Sequence, residues 1–440
     1  MRRCSIILAL LLMLSICTVS AQNNLQLQYG YRGSLSGAKF LPSTLELGNY
    51  QWQIGFNYKL WIANRSLSYG NINDFQTSGR LTNEDLNDFI SELDKDNIIG
   101  VGQDIMLLGV ARKFKIRKRP ITFSFAINER MSASFRYPKA LLQLAWKGNK
   151  QFENKPVDIA GSLDARYFRE FSLGTSFKLA EPVNGLKIRF GAAFKYYQGL
   201  AAIYMPNNYL IFETGPEGDY LSFDYNYDIF LAGTEKFSVT DTKGEGYGGS
   251  IGITAKWKKR YSLDIGLSDI GGITYYTDTQ KFSDKGFVSF SGLSREDFDD
   301  LTNYADSLTA IFENEVVEGN SFYMPLGVRF QVQLAYHFLY DNEAANPGNL
   351  FFTYIQGFQE LPGVTRRPRF SLGYNQRLWK RLYPGVSVSY GGFNNLAIGA
   401  MLSARFGKTR FGIHADDFTG AIIPSRGTGL GFGLVFQCYF

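Results

Sequence analysis

Gly429-Leu430-Gly431-Phe432-Gly433-Leu434-Val435-Phe436-Gln437-Cys438-Tyr439-Phe440 holds the pattern that decides the fold. Leu430, Phe432, Leu434, Phe436, Cys438 and Phe440 fall on one face, opposite Gly431, Gly433, Val435, Gln437 and Tyr439. Successive side chains of a strand point to opposite faces, so this is one long strand with an apolar side. The same period runs back through the chain. Trp52, Ile54, Phe56, Tyr58, Leu60 and Ile62 alternate with Gln51, Gln53, Gly55, Asn57 and Lys59. Ile121 to Asn128, Leu186 to Tyr196 and Leu326 to Phe338 repeat it, the last with Leu326, Val328, Phe330, Val332 and Leu334 on the apolar face.

A soluble β-sandwich also alternates. Here the runs reach 11 to 13 residues, longer than the usual strand of about 5–6. Long apolar strands on a soluble protein would aggregate unless covered. The reading is therefore all-β: a transmembrane antiparallel β-barrel in the outer membrane of a Gram-negative bacterium, with lipid on one face of each strand and a polar lumen on the other. The ending Phe436, Cys438 and Phe440 resembles the C-terminal signal by which such barrels are taken up by the barrel-assembly machinery.

Counting forward from Tyr50 predicts about 14 strands, an even number as bacterial barrels have. They are 49–63, 100–116, 120–135, 158–179, 185–203, 245–258, 261–271, 321–338, 348–359, 367–377, 383–391, 395–406, 409–416 and 429–440. The first, third, fifth and seventh connections are long (64–99, 136–157, 204–244 and 272–320). Those between them are tight, such as Arg117-Lys118-Arg119 and Lys259-Arg260. Short turns face the periplasm, so both chain ends are expected there. The segment 208–232 reads as structure within an outer loop, with 16 strands as the alternative. Short helices are expected in outer loops after Thr82 and after Ser294, each with an acid three residues on as in a capping box, and over Pro138 to Trp146.

Composition fits this class. Aromatics reach 16% with 46 glycines, and mean hydropathy is −0.15, a mixture suited to twisted strands and aromatic girdles. Met1-Arg2-Arg3-Cys4, the apolar stretch Ile6 to Leu14 and Val19-Ser20-Ala21 read as a signal peptide, 1–21, cut before Gln22. Losing Arg2 and Arg3 takes the formal charge from +6 to +4, and the remaining charges are interspersed, which argues against a nucleic-acid partner. Cys4 and Cys17 leave with the leader, so Cys438 has no partner for a disulfide.

Residues 22–48 precede the first strand, with Gly33-Ser34-Leu35-Ser36-Gly37-Ala38 and Pro42-Ser43-Thr44 breaking the alternation. This segment, the strand count and the long outer loops together resemble the long-chain fatty-acid transporter superfamily of outer-membrane barrels, near a Bacteroidetes branch of unknown function and the PorV-like proteins of type IX secretion. The resemblance implies a hatch folded back into the lumen, with Gly37, Ala38 and Pro42 in it, although the Asn-Pro-Ala core of relatives is missing.

No catalytic constellation, metal pattern or cofactor motif is found. His337 and His414 have no zinc-type neighbours, and Gly244 to Gly249 and Gly427 to Gly433 lack a phosphate-loop ending. Asp269, Asp297, Asp299 and Asp300 lack calcium-loop spacing. The informative set is the lumen register: Lys187, Arg189, Lys195, Arg329, Gln333, His337 and Arg369, with Arg130 beside them and Asp104, Glu170 and Asp264 to offset the charge. Two functions fit: a passive transporter of hydrophobic or amphipathic small molecules, or a sealed barrel that docks an envelope protein in secretion. The first expects an apolar pocket behind the hatch and a kink or gap in the wall.

Overall fold

In the computed structural model the alternating runs become the antiparallel strands β1 (Trp52–Asn64), β2 (Asp96–Ile116), β3 (Arg119–Pro138), β4 (Ser162–Ala180), β5 (Leu186–Tyr204), β6 (Gly244–Trp257) and β7 (Tyr261–Tyr275). They continue as β8 (Arg329–His337), β9 (Gly348–Gly357), β10 (Arg369–Gln376), β11 (Leu382–Gly391), β12 (Leu396–Phe406), β13 (Thr409–Asp417) and β14 (Gly429–Tyr439). The structure describes residues 30–66, 68–70, 82–117, 119–182, 185–235, 237–258, 260–291, 317–338, 348–379 and 381–440. The leader and the helix expected after Ser294 lie outside these residues. Each strand pairs with the next, and β14 pairs with β1 from Gln53↔Tyr439 to Ala63↔Gly429, which closes a 14-stranded barrel. Closure leaves no open edge, so each strand of the wall pairs with a neighbour on both sides.

The pleat sorts the side chains as the alternation requires. On β14, Phe432 and Phe436 face out while Gly431, Gly433, Val435 and Gln437 are buried inside. Phe123, Leu173, Phe194, Leu334, Phe352 and Leu402 continue an exposed apolar belt around the wall. No helix among the described residues is long and apolar enough to cross a membrane; the strands do the crossing. Gln51 N donates to Phe440 O over 2.7 Å, so the start of the first strand and the end of the last meet at the short-turn face.

β2 to β5 run 19 to 21 residues, beyond the 9–11 or so that cross a bilayer, and extend the wall outward. The segment 208–232 forms a hairpin of Asn208–Thr214 with Leu221–Ala232, to which Thr279–Phe290 adds a third strand. It is loop structure rather than two further staves. One register reading is corrected. Leu326 does not continue the lipid-facing row of β8; it is buried in the outer half of the lumen. Gly327, at φ +81, breaks the pleat between Phe322–Pro325 and β8, and both pieces pair with β7.

Short helices fully within the described residues lie off the wall: α1 (Leu35–Ala38), α2 (Asn83–Glu92), α3 (Lys139–Lys147) and α4 (Thr419–Ile422). Thr82 and Asp85 form the capping box at the start of α2, each side chain bonding the other's backbone N–H. Phe89 of α2 meets Trp146 of α3 edge-on, centroids 5.5 Å apart. Two loop helices thus bury their apolar faces against each other.

Candidate functional site

Residues 30–48 lie inside the barrel. Tyr31, Leu35, Phe40, Leu41, Leu45 and Leu47 are all buried there, and so are Gly37, Ala38 and Pro42. The path breaks the alternation because it is not a strand: α1 is a single turn capped by the Ser34 side chain, and Pro42–Thr44 is a short 3-10 turn. The wall grips it through polar groups. Arg32 donates to both carboxylate oxygens of Asp264 on β7, at 2.7 and 2.8 Å. Leu35 N donates to the Gln53 side-chain oxygen Oε1 at 3.1 Å, and the Gln437 side-chain amide donates to Ser34 Oγ at 2.8 Å. Arg189 donates to Leu45 O at 2.8 Å and to Ser176 Oγ at 2.9 Å. Opposite residues 41–43 the wall is glycine: a Cβ on Gly191 would sit 2.2 Å from Ser43 N, and one on Gly266 2.5 Å from Leu41. The inner segment therefore touches wall backbone, an approach that only glycine allows.

Above it stands a charged hub. The β6–β7 ladder shifts register between Leu267 and Ile270, and Asp269 adopts φ +56. A bulge adds one residue to a strand and re-aims a side chain; here Ser268 and Asp269 are consecutive yet both buried. Arg130 on β3 takes the Asp269 carboxylate with two bonds of 2.9 Å and Glu170 with a third of 2.9 Å. Lys195 reaches Asp269 at 3.1 Å and Glu170 at 3.4 Å, and Arg329 reaches Asp269 at 3.3 Å. Lys39 of the inner segment pairs with Asp104. The Phe40 ring lies below these cations, 5.2 Å from the Arg329 guanidinium, 5.8 Å from that of Arg130 and 5.9 Å from Lys195 Nζ. Lys39, Arg130, Lys195 and Arg329 against Asp104, Glu170 and Asp269 leaves one positive charge in excess.

Between Phe40 and the outer loops is a chamber of about 40 Å³, lined by Lys59, Trp61, Asp104, Arg130, Arg166 and Arg329 and roofed by Pro362 and Gly363. That volume holds a few waters. The Arg166 guanidinium donates to Pro325 O and Leu326 O, each at 2.9 Å, and to Pro362 O at 2.6 Å. It ties two outer loops across the chamber and adds a further cation. The space behind the inner segment is thus polar, where an apolar pocket was expected, because the hub's charges face into it. The wall does kink at the β7 bulge, but Leu326 N donating to Gly271 O at 3.0 Å keeps it shut.

The residues singled out from the lumen register do not form one cluster. Lys195 and Arg329 belong to the hub. Arg189 holds the inner segment, and Lys187 is exposed at the short-turn rim, opposite Lys256. Gln333 is buried opposite Asp264. His337 bonds Asn349 and lies 3.3 Å from Ser262 Oγ. Arg369, on the other side of the barrel, donates to the Asn394 side-chain oxygen at 2.5 Å. Phe436 and Phe440 face outward and are exposed; Cys438 is half-buried opposite Ile54 and Thr409. Sequence reasoning weighed Asp269 only against a calcium loop, and it missed Arg166, Lys39 and Phe40. The Gly271-Gly272 pair after Asp269 was the one visible sign of a bulge.

A family model, described as a family of unknown function, DUF5723, matches residues 46–416. No curated protein matches the chain. Among solved structures it is similar to the toluene transporter TbuX of Ralstonia pickettii, at 10% identity over 92% of this chain and 94% of that one, with a TM-score of 0.42. It is also similar to the toluene transporter TodX of P. putida, at 8% identity over 92% and 94%, TM-score 0.42. A FadL homologue of Pseudomonas aeruginosa matches at 10% identity over 96% and 98%, TM-score 0.41. Strand count and closure rest on this chain's own ladders. A closed barrel with an apolar belt is the form in which β-strands span an outer membrane, and the wall of this chain has both features.

Proposed function

The chain belongs to DUF5723, a family of unknown function, and within that family we propose that it is a hatch-gated passive transporter of amphipathic small molecules. The carrying observation is how residues 30–48 occupy the lumen. They are held by separate side-chain contacts, Arg32–Asp264 and Lys39–Asp104 among them, and not by a strand ladder. A segment tied at a few points can be released where a paired strand cannot, so residues 30–48 act as the hatch. Its withdrawal would join the chamber to the periplasmic mouth. The excess of cations around Phe40 and the apolar cluster of Phe168, Tyr197, Tyr275, Phe322 and Met324 above it suit a solute with an anionic head and an apolar body. Charges inside a barrel tune selectivity in this sense.

Vesicles carrying the full chain should take up decyl sulfonate faster than empty vesicles and exclude a sugar of similar mass. Arg32→Ala removes the Asp264 latch and should raise uptake several-fold. Equal uptake by empty and protein-bearing vesicles, with wild type and with Arg32→Ala, would sink the reading.

A further inference from the structure

The turns at the terminus-bearing end of the barrel are basic. Arg117 and Arg119 flank the β2–β3 turn, Lys258 and Arg260 the β6–β7 turn, Arg381 precedes β11 and Lys408 follows β12; all six are exposed. Among the described residues of these turns the one carboxylate is Glu181, and it is ion-paired with Lys178. Residues 339–347 of the β8–β9 connection, which include Asp341 and Glu343, lie outside the described residues. Exposed cations of one sign set up a positive potential that attracts anions from outside the chain.

The position of the cations says where that counter-charge lies. Arg112 is on the outward register of β2, opposite Trp52 on β1 and Phe123 on β3. Its guanidinium carbon stands 4.5 Å from the Trp52 ring and 4.5 Å from that of Phe114. Lys258 Nζ is 5.0 Å from the Trp257 ring, and Trp257 and Tyr261 pack at a tilt on the outer wall with centroids 5.7 Å apart. Aromatic residues of this kind mark the level of the lipid headgroups. A guanidinium held between two rings keeps its planar N–H edge turned away from them, in the geometry that takes a phosphate bidentately. Arg112 and Lys258 therefore stand on the outer wall at headgroup depth, next to the exposed cations of the turns.

We propose that this basic collar binds the phosphate headgroups of anionic phospholipids in the periplasmic leaflet, with Arg112 between Trp52 and Phe114 as its principal seat. An acidic protein is the other macromolecule a basic surface could take. Cations on the outer wall at the aromatic level, with Arg112 facing lipid, favour the lipid.

The full chain is purified in micelles doped with equal palmitoyl-oleoyl phosphatidylglycerol and phosphatidylcholine, and retained lipid is read by native mass spectrometry. Phosphatidylglycerol should be retained about fivefold over phosphatidylcholine, the preference that one favourable surface cation gives. A variant with Arg112→Gln, Arg117→Gln, Arg119→Gln and Lys258→Gln should hold the two lipids equally. A control with Lys147→Gln, Lys150→Gln and Lys155→Gln at the opposite end should keep the preference; gel mobility before and after heating confirms that all three proteins are folded. Equal retention by the wild type would overturn the proposal. So would an unchanged preference in the collar variant with loss of an acidic protein partner, or displacement of the lipid by millimolar inorganic phosphate.

Discussion

On the tall side of the barrel, β2 to β5 run 19 to 21 residues, and their inward faces supply Asp104, Arg130, Arg166, Glu170, Arg189 and Lys195. On the short side, β8 to β11 run 8 to 10 residues, and apart from Arg329 and Arg369 at their outer ends they fill the lumen with neutral groups. There Asn349 donates to Asn375 at 2.7 Å. The tip of the Phe351 ring lies against Gly373, where a Cβ would come within 2.2 Å of it. The neutral side is held by hydrogen bonds between adjacent strands. The charged side is held by pairs that cross the lumen, since Arg130 and Asp269 are 139 residues apart. A buried charge cannot be left alone, so residues on distant strands must keep one geometry. The side that carries charge is the side whose shape is most tightly specified, and it is also the side that grips residues 30–48.

The comparison is best broken at the hub. Asp269→Ala leaves Arg130, Lys195 and Arg329 facing one another and should cost about 3–5 kcal/mol, the usual loss when one partner of a buried ion pair is removed. Asn349→Ala on the neutral side should cost about 1 kcal/mol, as for an ordinary hydrogen bond. The temperature at which the folded band disappears in a heat-modifiability gel measures both, and equal shifts would abolish the distinction between the sides.

Gly191→Val tests the grip on the inner segment. Its Cβ would meet Ser43 N at 2.2 Å, and overpacking against backbone costs about 1–3 kcal/mol. The wall can stay closed if residues 40–45 move away. Limited proteolysis should then cut near Lys39 in the folded variant and not in the wild type.

The smallest effect belongs to the outer loops. The Thr82 hydroxyl and backbone N–H bonding the Asp85 carboxylate hold its pKa below the ordinary 3.8. A depressed carboxyl contributes stability above its unfolded pKa and loses it as pH falls through the folded value. Hydrogen-exchange protection of Asn83–Glu92 should therefore be constant at neutral pH and fall on acidification below about pH 4, while the barrel strands stay protected. Asp85→Ala should remove that pH dependence.

The wall was legible because each part of it depends on neighbours in the chain. The strand positions and the capping box at Thr82 are visible in short windows of sequence, and the alternation of long and short connections follows from the spacing of the strands along the chain. The lumen was legible only as a register. Lys195 and Arg329 could be assigned to the inside, but not to the same carboxylate, and Arg369 could not be separated from them. Leu326 was misplaced because alternation carries no signal for Gly327 at φ +81.

By itself, then, the sequence pointed to a closed barrel, because a period of two over strands this long would leave a soluble sheet with apolar strands uncovered. Tertiary structure alone decided what the barrel encloses. The bulge at Asp269, the excess of cations around Phe40 and the roof held by Arg166 exist only once closure brings together strands from opposite parts of the chain. Pairing of charges is set by distance in space, and no local pattern records it.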